Sequence, residues 1–256
     1  MNIDLHCHIK LSKKQNFSLN YFQQSIAEAT DAGLDAIAMT EHFNTNHYYD
    51  IYEQLNEHYP YTKQHYYDIN GFKVFPGMEI DVAGGGHILV IGERDNILML
   101  RHMLSPHEEK HSFVDFEQLL DWCDELSLIR FGAHPFRTSN PLIKHSSELL
   151  QRLHAFDMNG KDLYTYGEAM IERVEQLSEH IGIPIIAGSD THHPLQFGAI
   201  YNQFPDPINC PSELLKAIQQ RQHAIHIAAD LTHRVKSASL VKKLLKERGP
   251  VEAAFL

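Results

Sequence analysis

Histidine and carboxylate side chains stand at the ends of several short apolar runs. Asp4-Leu5-His6-Cys7-His8 closes the first, Thr40-Glu41-His42 the second and Gly77-Met78-Glu79 the third. Gly132-Ala133-His134-Pro135 and Gly188-Ser189-Asp190-Thr191-His192 close two later ones. His6 and His8 are two residues apart, so on a strand both rings point to one face and can hold one ion. Taken alone, such a pair serves equally well as a hydrogen-bonded structural pair. Cys7 points the other way and reads as a buried, inert thiol. Glu79 and Asp190 each emerge from an apolar segment, and a buried carboxylate needs a cation or hydrogen bonds. Simpler roles stay open for each residue: an ion pair for Glu79, a strand-end cap for His134, a helix N-cap for Asp190, a surface position for His42. One shared metal cluster accounts for all of these strand ends together. A mixed His and carboxylate set suits zinc, manganese or iron rather than the all-oxygen sites of calcium and magnesium. With no cysteine in the set, an open catalytic site fits better than a closed structural zinc.

These groups need strands to position them. The pattern predicts strands over residues 2–8, 36–40, 72–80, 88–92, 129–135, 155–158 and 183–189. Helical spacing covers residues 18–33, 48–58, 114–126, 166–180, 212–221 and 235–247. Ser18 can cap the first helix and Gly33 can end it. Such alternation argues for an α/β fold with a mostly parallel sheet or barrel, whose C-terminal strand ends carry the active site. His87 instead opens its strand, so it joins the set only from a locally antiparallel strand or a long loop. No internal repeat or long linker divides the chain. Residues 1–256 therefore read as one catalytic domain, with 231–256 a C-terminal helix and tail. The Tyr- and His-rich stretch 48–67 reads as aromatics packed on the barrel, with a cleft for a ring-bearing substrate as the alternative.

Composition narrows the class. The chain has 256 residues, a formal charge of −11 and 19 histidines spread from His6 to His233 without a tract. Six of these, His6, His8, His42, His87, His134 and His192, sit where a cluster can form; most of the others are expected at the surface. No apolar run reaches the ~18 residues of a membrane span, and the N-terminus lacks a signal-peptide pattern. Three unpaired-looking cysteines, Cys7, Cys123 and Cys210, suggest a reducing, cytoplasmic setting. The acidic balance disfavours a stable nucleic-acid complex through a basic surface.

The ordered motifs resemble the PHP (polymerase and histidinol phosphatase) family. They are DLHCH at residues 4–8, TEH at 40–42, PGMEID at 76–81, GHILVIG at 86–92, GAHP at 132–135, FDMNG at 156–160 and GSDTH at 188–192. The resemblance implies a distorted seven-stranded (βα) barrel and a metal-dependent phosphoesterase. It implies His6, His8, Glu79 and Asp190 around one ion, Glu79 bridging to a second held by His87 and His134, and His42 and His192 serving a third. Two bridged cations would acidify water to give a nucleophile near neutral pH and would clamp phosphate oxygens. Arg137 is a candidate phosphate clamp, with a surface salt bridge as its other reading. His193 is a candidate proton donor to the leaving group, with a supporting or solvent-facing role as the alternative. The chain departs from the family where many members carry a further ligand after the HxH motif. Lys14 lies there; it cannot ligate a metal, though it can bind phosphate. The expected substrate is a small phosphate monoester, such as histidinol phosphate, or a nucleotide or short nucleic-acid end. An amidohydrolase-type enzyme cleaving C–N bonds, or a non-catalytic metal-binding regulator, are the competing readings. The Lys14 departure predicts two ions of zinc, manganese or iron per chain by elemental analysis of untagged protein; three would refute it.

Overall fold

The computed structural model describes residues 1–247; the expected tail at 249–256 lies outside them. Ten strands form one sheet. They are β1 (Asn2–Cys7), β2 (Ala36–Met39), β3 (Tyr67–Ile69), β4 (Phe72–Asp81), β5 (His87–Ile91), β6 (Ile129–Ala133), β7 (Ala155–Asn159), β8 (Ile185–Gly188), β9 (Ile200–Gln203) and β10 (Ala224–Ile227). The helices are α1 (Leu19–Asp31), α2 (Tyr48–His58), α3 (Arg94–Met103), α4 (Phe116–Glu125), α5 (Ser147–Leu150), α6 (Gly160–Tyr166), α7 (Glu168–Ile181), α8 (Pro211–Gln219) and α9 (Leu231–Glu247). No helix among the described residues is long and apolar enough to cross a membrane.

The expected barrel is present. Seven strands run in the order β1-β2-β4-β5-β6-β7-β8, and the last returns to the first through a Cys7–Thr191 bridge. β5 lies antiparallel to both β4 and β6, which brings His87 to the same rim as the other candidate ligands. Three consecutive glycines at positive φ, Gly84, Gly85 and Gly86, make the turn that reverses the chain there. The remaining strands are additions that the sequence pattern did not signal. β3 forms a hairpin with β4, while β9 and β10 extend the sheet antiparallel from β1. β10 is largely exposed, so it lacks the apolar alternation that marks a buried strand. The sequence pattern also does not signal α3, α5 and α6; α6 is separated at Gly167, with φ +66°, from α7, which is the helix expected at 166–180. Ser18 caps α1 by accepting from the Tyr21 N–H.

Inside the barrel, Ile3, Leu5, Ala36, Ala38, Phe75, Leu89, Phe131 and Ile186 form a floor; Cys7, Ile37, Met39, Met78 and Val90 pack outward under the helices. β1 carries one extra residue against β2 between Asp4 and Cys7. That bulge shifts the in–out phase. Ile3 and Leu5 fill the floor below it, and His6 and His8 enter the mouth above it. Tyr48, Tyr52 and Tyr67 are buried, and the Tyr48 and Tyr52 hydroxyls donate to the Gly77 carbonyl, so stretch 48–67 packs on the barrel.

The seam between β8 and β1 is stitched by one buried side chain. Asn202 on β9 accepts from the Ala187 N–H at 2.8 Å and donates to the carbonyls of Ala187 (2.8 Å) and Ile3 (3.1 Å). Asn202→Leu strands three buried backbone groups, which costs on the order of 2–4 kcal/mol, or a melting-temperature drop of about 5–10 °C. Thermal denaturation of the variant measures this, and an unchanged melting temperature would exclude the stitch.

Candidate metal centre

Glu79 lies inside β4, with its side chain 2% exposed. Five imidazole nitrogens surround it: His87 Nδ1 at 2.6 Å, His42 Nδ1 at 2.8 Å, His134 Nε2 at 3.2 Å, His8 Nε2 at 3.3 Å and His6 Nε2 at 3.5 Å. Asp190 Oδ1 stands 3.5 Å from His8 Nε2 and 3.9 Å from His6 Nε2. His192 stacks on His8 at 4.1 Å between ring centres, and His42 lies 4.4 Å from His8 and 5.9 Å from His192. Among the described residues, donor atoms gather into four groups small enough to hold an ion: His6-His8-Glu79, Glu79-His87-His134, His6-His134-Asp190 and His8-His42-His192.

Local backbone turns the donors inward. His134 and Asp190 follow the ends of β6 and β8 with φ of +31° and +57°. Non-glycine residues there store strain of about 1–3 kcal/mol each, a cost that functional sites commonly carry. Gly188 leaves room for His6: a Cβ at 188 would fall 2.3 Å from His6 Cβ and 2.6 Å from Asp157 Oδ1.

A second ring of carboxylates orients the first. Asp157 Oδ2 accepts from His6 Nδ1 at 2.9 Å, and Asp81 Oδ1 from His87 Nε2 at 2.8 Å. Each contact fixes a tautomer whose remaining nitrogen faces the cluster. Glu41, buried at the end of β2, stands 3.5 Å from His8 Nδ1 and accepts from the Lys10 and His42 backbone N–H groups. Buried Asp4 accepts from the Ser189 and His6 backbone N–H groups. Burial pushes its carboxyl up to about 6. Sequence reasoning assigned these carboxylates no role, although Glu41, Asp81 and Asp157 lie inside the motifs quoted above. Two-residue spacing was the available signal: Asp81 follows Glu79 on one strand face, as Asn159 follows Asp157.

Three expected roles change. Arg137 does not stand as a free phosphate clamp. Its guanidinium donates to Asp190 (2.8 Å), Asn159 (2.9 Å) and, through two nitrogens, Asp162 (2.8 and 3.0 Å). It positions Asp190 and offsets the charge of that buried carboxylate. His193 caps the 3-10 turn Pro194–Gln196 by accepting from the Leu195 N–H, and burial pulls its pKa down to about 4. It is a neutral ring at pH 7, which does not suit a proton donor. Lys14 is exposed, and its neighbour Lys13 is the lysine that reaches the cluster, 3.4 Å from Asp81 Oδ2. Among the unassigned histidines, His47, His58, His102 and His111 are exposed, while His107 and His145 hold backbone carbonyls.

The donor set fits divalent cations. His6 Nε2, His8 Nε2, His42 Nδ1 and Glu79 Oε2 are buried without a hydrogen bond, and their lone pairs converge. Burial opposes a charge on Glu79, but His87, His42 and His134 outweigh it and hold the carboxylate well below its usual range. Burial likewise opposes a charge on Asp190, yet Arg137 and His8 keep it ionised. Burial drives His134 down to about 3, helped by Arg137.

Residues 4–161 match the PHP domain model and residues 171–223 the PHP-associated model. The chain belongs to the PHP family, and its kind of enzyme is the metal-dependent phosphoesterase. The fold is that of PsfC from Pseudomonas syringae PB-5123, with a TM-score of 0.78 at 23% identity, covering 95% of this chain and 98% of that one. It is similar to the lesion-specific endonuclease PfuEndoQ from Pyrococcus furiosus, with a TM-score of 0.65 at 19% identity, covering 88% of this chain and 57% of that one. Endonuclease Q bound to a 27-mer duplex with an abasic lesion at its active site gives 0.62 at 18% identity, covering 86% and 56%. No curated protein matches the chain.

Three histidines of this centre, His6, His8 and His87, favour their protonated form, whereas His42, His134 and His192 favour the neutral ring. Burial opposes the charge on His6, but Asp157 and Glu79 prevail and push its pKa up to about 10. The same balance, with Glu79 and Asp81, raises His87 to about 9. A metal must displace those protons, so uptake releases them and affinity climbs as pH rises from about 7 towards these values. Zinc titration calorimetry in buffers of different ionisation heat measures the release; an affinity independent of pH over this range would contradict the assignment.

Proposed function

We propose that this chain hydrolyses phosphate esters, with a small phosphorylated molecule as substrate and metal-activated water as nucleophile. The observation that carries the reading is the Glu79 carboxylate shared between two separate donor groups. Its two oxygens divide between them: Oε1 faces His6, His87 and His134, and Oε2 faces His8 and His42. His6, His8, Glu79 and Asp190 would hold one cation, and His87 and His134 would hold a second with Glu79. His42 and His192, with His8, offer a third place. Divalent cations in these positions supply an acidified water and positive charge for the phosphate oxygens.

The chain's own side chains keep this arrangement ready. Asp157 and Asp81 fix the tautomers of His6 and His87. Arg137 holds Asp190 towards the cluster, and Asn159 and Asp162 hold Arg137 in turn. Preorganised ligands avoid reorganisation when charge develops in the reaction. A formal charge of −11 supports a small substrate over a long polyanion. The endonuclease relatives favour a second substrate class, the phosphodiester of a nucleic-acid end. An amidohydrolase-type centre built on a carboxylated lysine is disfavoured, because Glu79 fills the position shared between two donor groups.

Turnover of p-nitrophenyl phosphate and bis-p-nitrophenyl phosphate by protein loaded with manganese or zinc tests the reading and separates monoester from diester. His6→Ala and Glu79→Ala each abolish the activity. No turnover of either ester by the metal-loaded protein would count against a phosphoesterase.

A further inference from the structure

The charge balance of a phosphoesterase centre leaves one need unmet. Metals would neutralise part of a phosphate's charge, and a side-chain cation at the mouth would strengthen the hold on its outer oxygens. Arg137 is committed to Asp162, Asn159 and Asp190, Lys13 lies beside Asp81, and Lys14 is exposed. The C-terminal helix carries a candidate. α9 packs on α6 and on the turn Pro194–Gln196, immediately after His192 and His193. Its inward stripe steps through Leu231, Val235, Ala238, Lys242 and Leu245, at alternating spacings of four and three. The first three are buried, and Lys242 and Leu245 are half-buried. A lysine therefore occupies a position where the pattern calls for an apolar residue.

Lys242 feels the charges of Lys161 and Lys246 on one side and of Asp190 and Glu41 on the other, and His192 feels Lys242. Among the described residues it forms no ion pair, whereas its neighbour Lys243 pairs with Glu247. Burial pulls Lys242 down to about 7, with Lys246 and Lys161 adding to the effect. A half-buried ammonium among like charges costs stability unless an anion joins it.

We propose that Lys242, carried by α9 with Lys161 of α6 beside it, binds the non-bridging oxygens of a substrate phosphate at the mouth of the metal cluster. The C-terminal helix then completes the active site. α9 lies beyond both matched family stretches, which end at residue 223. The proposal rests on the phosphoesterase reading and adds the group that holds the phosphate.

The test measures binding of inorganic phosphate to the metal-loaded protein by calorimetry, alongside metal content, melting temperature and p-nitrophenyl phosphate kinetics. Lys242→Met weakens phosphate binding and kcat/KM by about tenfold or more. Its metal content stays unchanged and its melting temperature does not fall, because an apolar residue suits the stripe. Lys242→Arg keeps most of the affinity, and Lys243→Met behaves as wild type. Equal phosphate affinity in wild type and Lys242→Met would overturn the proposal. So would a Lys242→Met protein that melts early or loses metal and regains phosphate affinity at saturating metal, which would mark a structural lysine. Wild type that turns over phosphate esters without Lys242-dependent phosphate binding defeats this proposal alone. Wild type that neither binds phosphate nor cleaves either ester defeats the phosphoesterase reading as well.

Discussion

A single carboxylate, Glu79, sets the constraint to which the rest of the barrel mouth answers. An anion buried to 2% exposure is costly unless cationic or hydrogen-bonding partners surround it. Five histidines from β1, the end of β2, β5 and the end of β6 close on it within 3.5 Å. That density of ring nitrogens is itself unfavourable without a cation, since several of them are buried without a hydrogen-bond partner. The same residues that bury the charge thus create the demand for metal. Charge and ligand geometry are two sides of one arrangement.

The barrel is shaped to meet this demand. A bulge in β1 turns His6 and His8 into the mouth while Ile3 and Leu5 remain on the floor. An antiparallel β5 delivers His87 from the start of a strand instead of its end. His134 and Asp190 adopt positive φ, and Gly188 yields its side-chain volume to His6 and Asp157. Each of these departs from regular strand structure, and each occurs where a ligand must be aimed. The strain is tolerated because the surrounding ladders and the Asn202 stitch hold the ring closed.

Behind the histidines stands a layer of acids that explains why the rings do not turn. Asp157 and Asp81 each take one imidazole N–H, and Arg137 ties Asp190 to Asp162 and Asn159. This use of Arg137 is instructive. An arginine three residues after a ligand histidine suggests a hand for phosphate, yet the buried carboxylate of Asp190 claims it first. The phosphate must then be met from elsewhere, and Lys242 on the packed stripe of α9 is the proposed cation.

Much was legible in the residues alone. Ligand candidates announced themselves because apolar runs ending in His, Glu or Asp are hard to explain any other way, and the alternation of strand and helix placed those ends on one rim. The register of β1, the tautomer-fixing acids and the occupation of Arg137 were not legible. Spacing along a chain reports which face a side chain takes within its own element. Which carboxylate lies behind which ring, 151 residues away for His6 and Asp157, depends on how separate strands are registered around the closed barrel. The sequence therefore determined the chemistry available at the mouth of this barrel. Tertiary structure decided which charges meet, because Coulomb and hydrogen-bond energies act over a few ångströms of space and not along the chain.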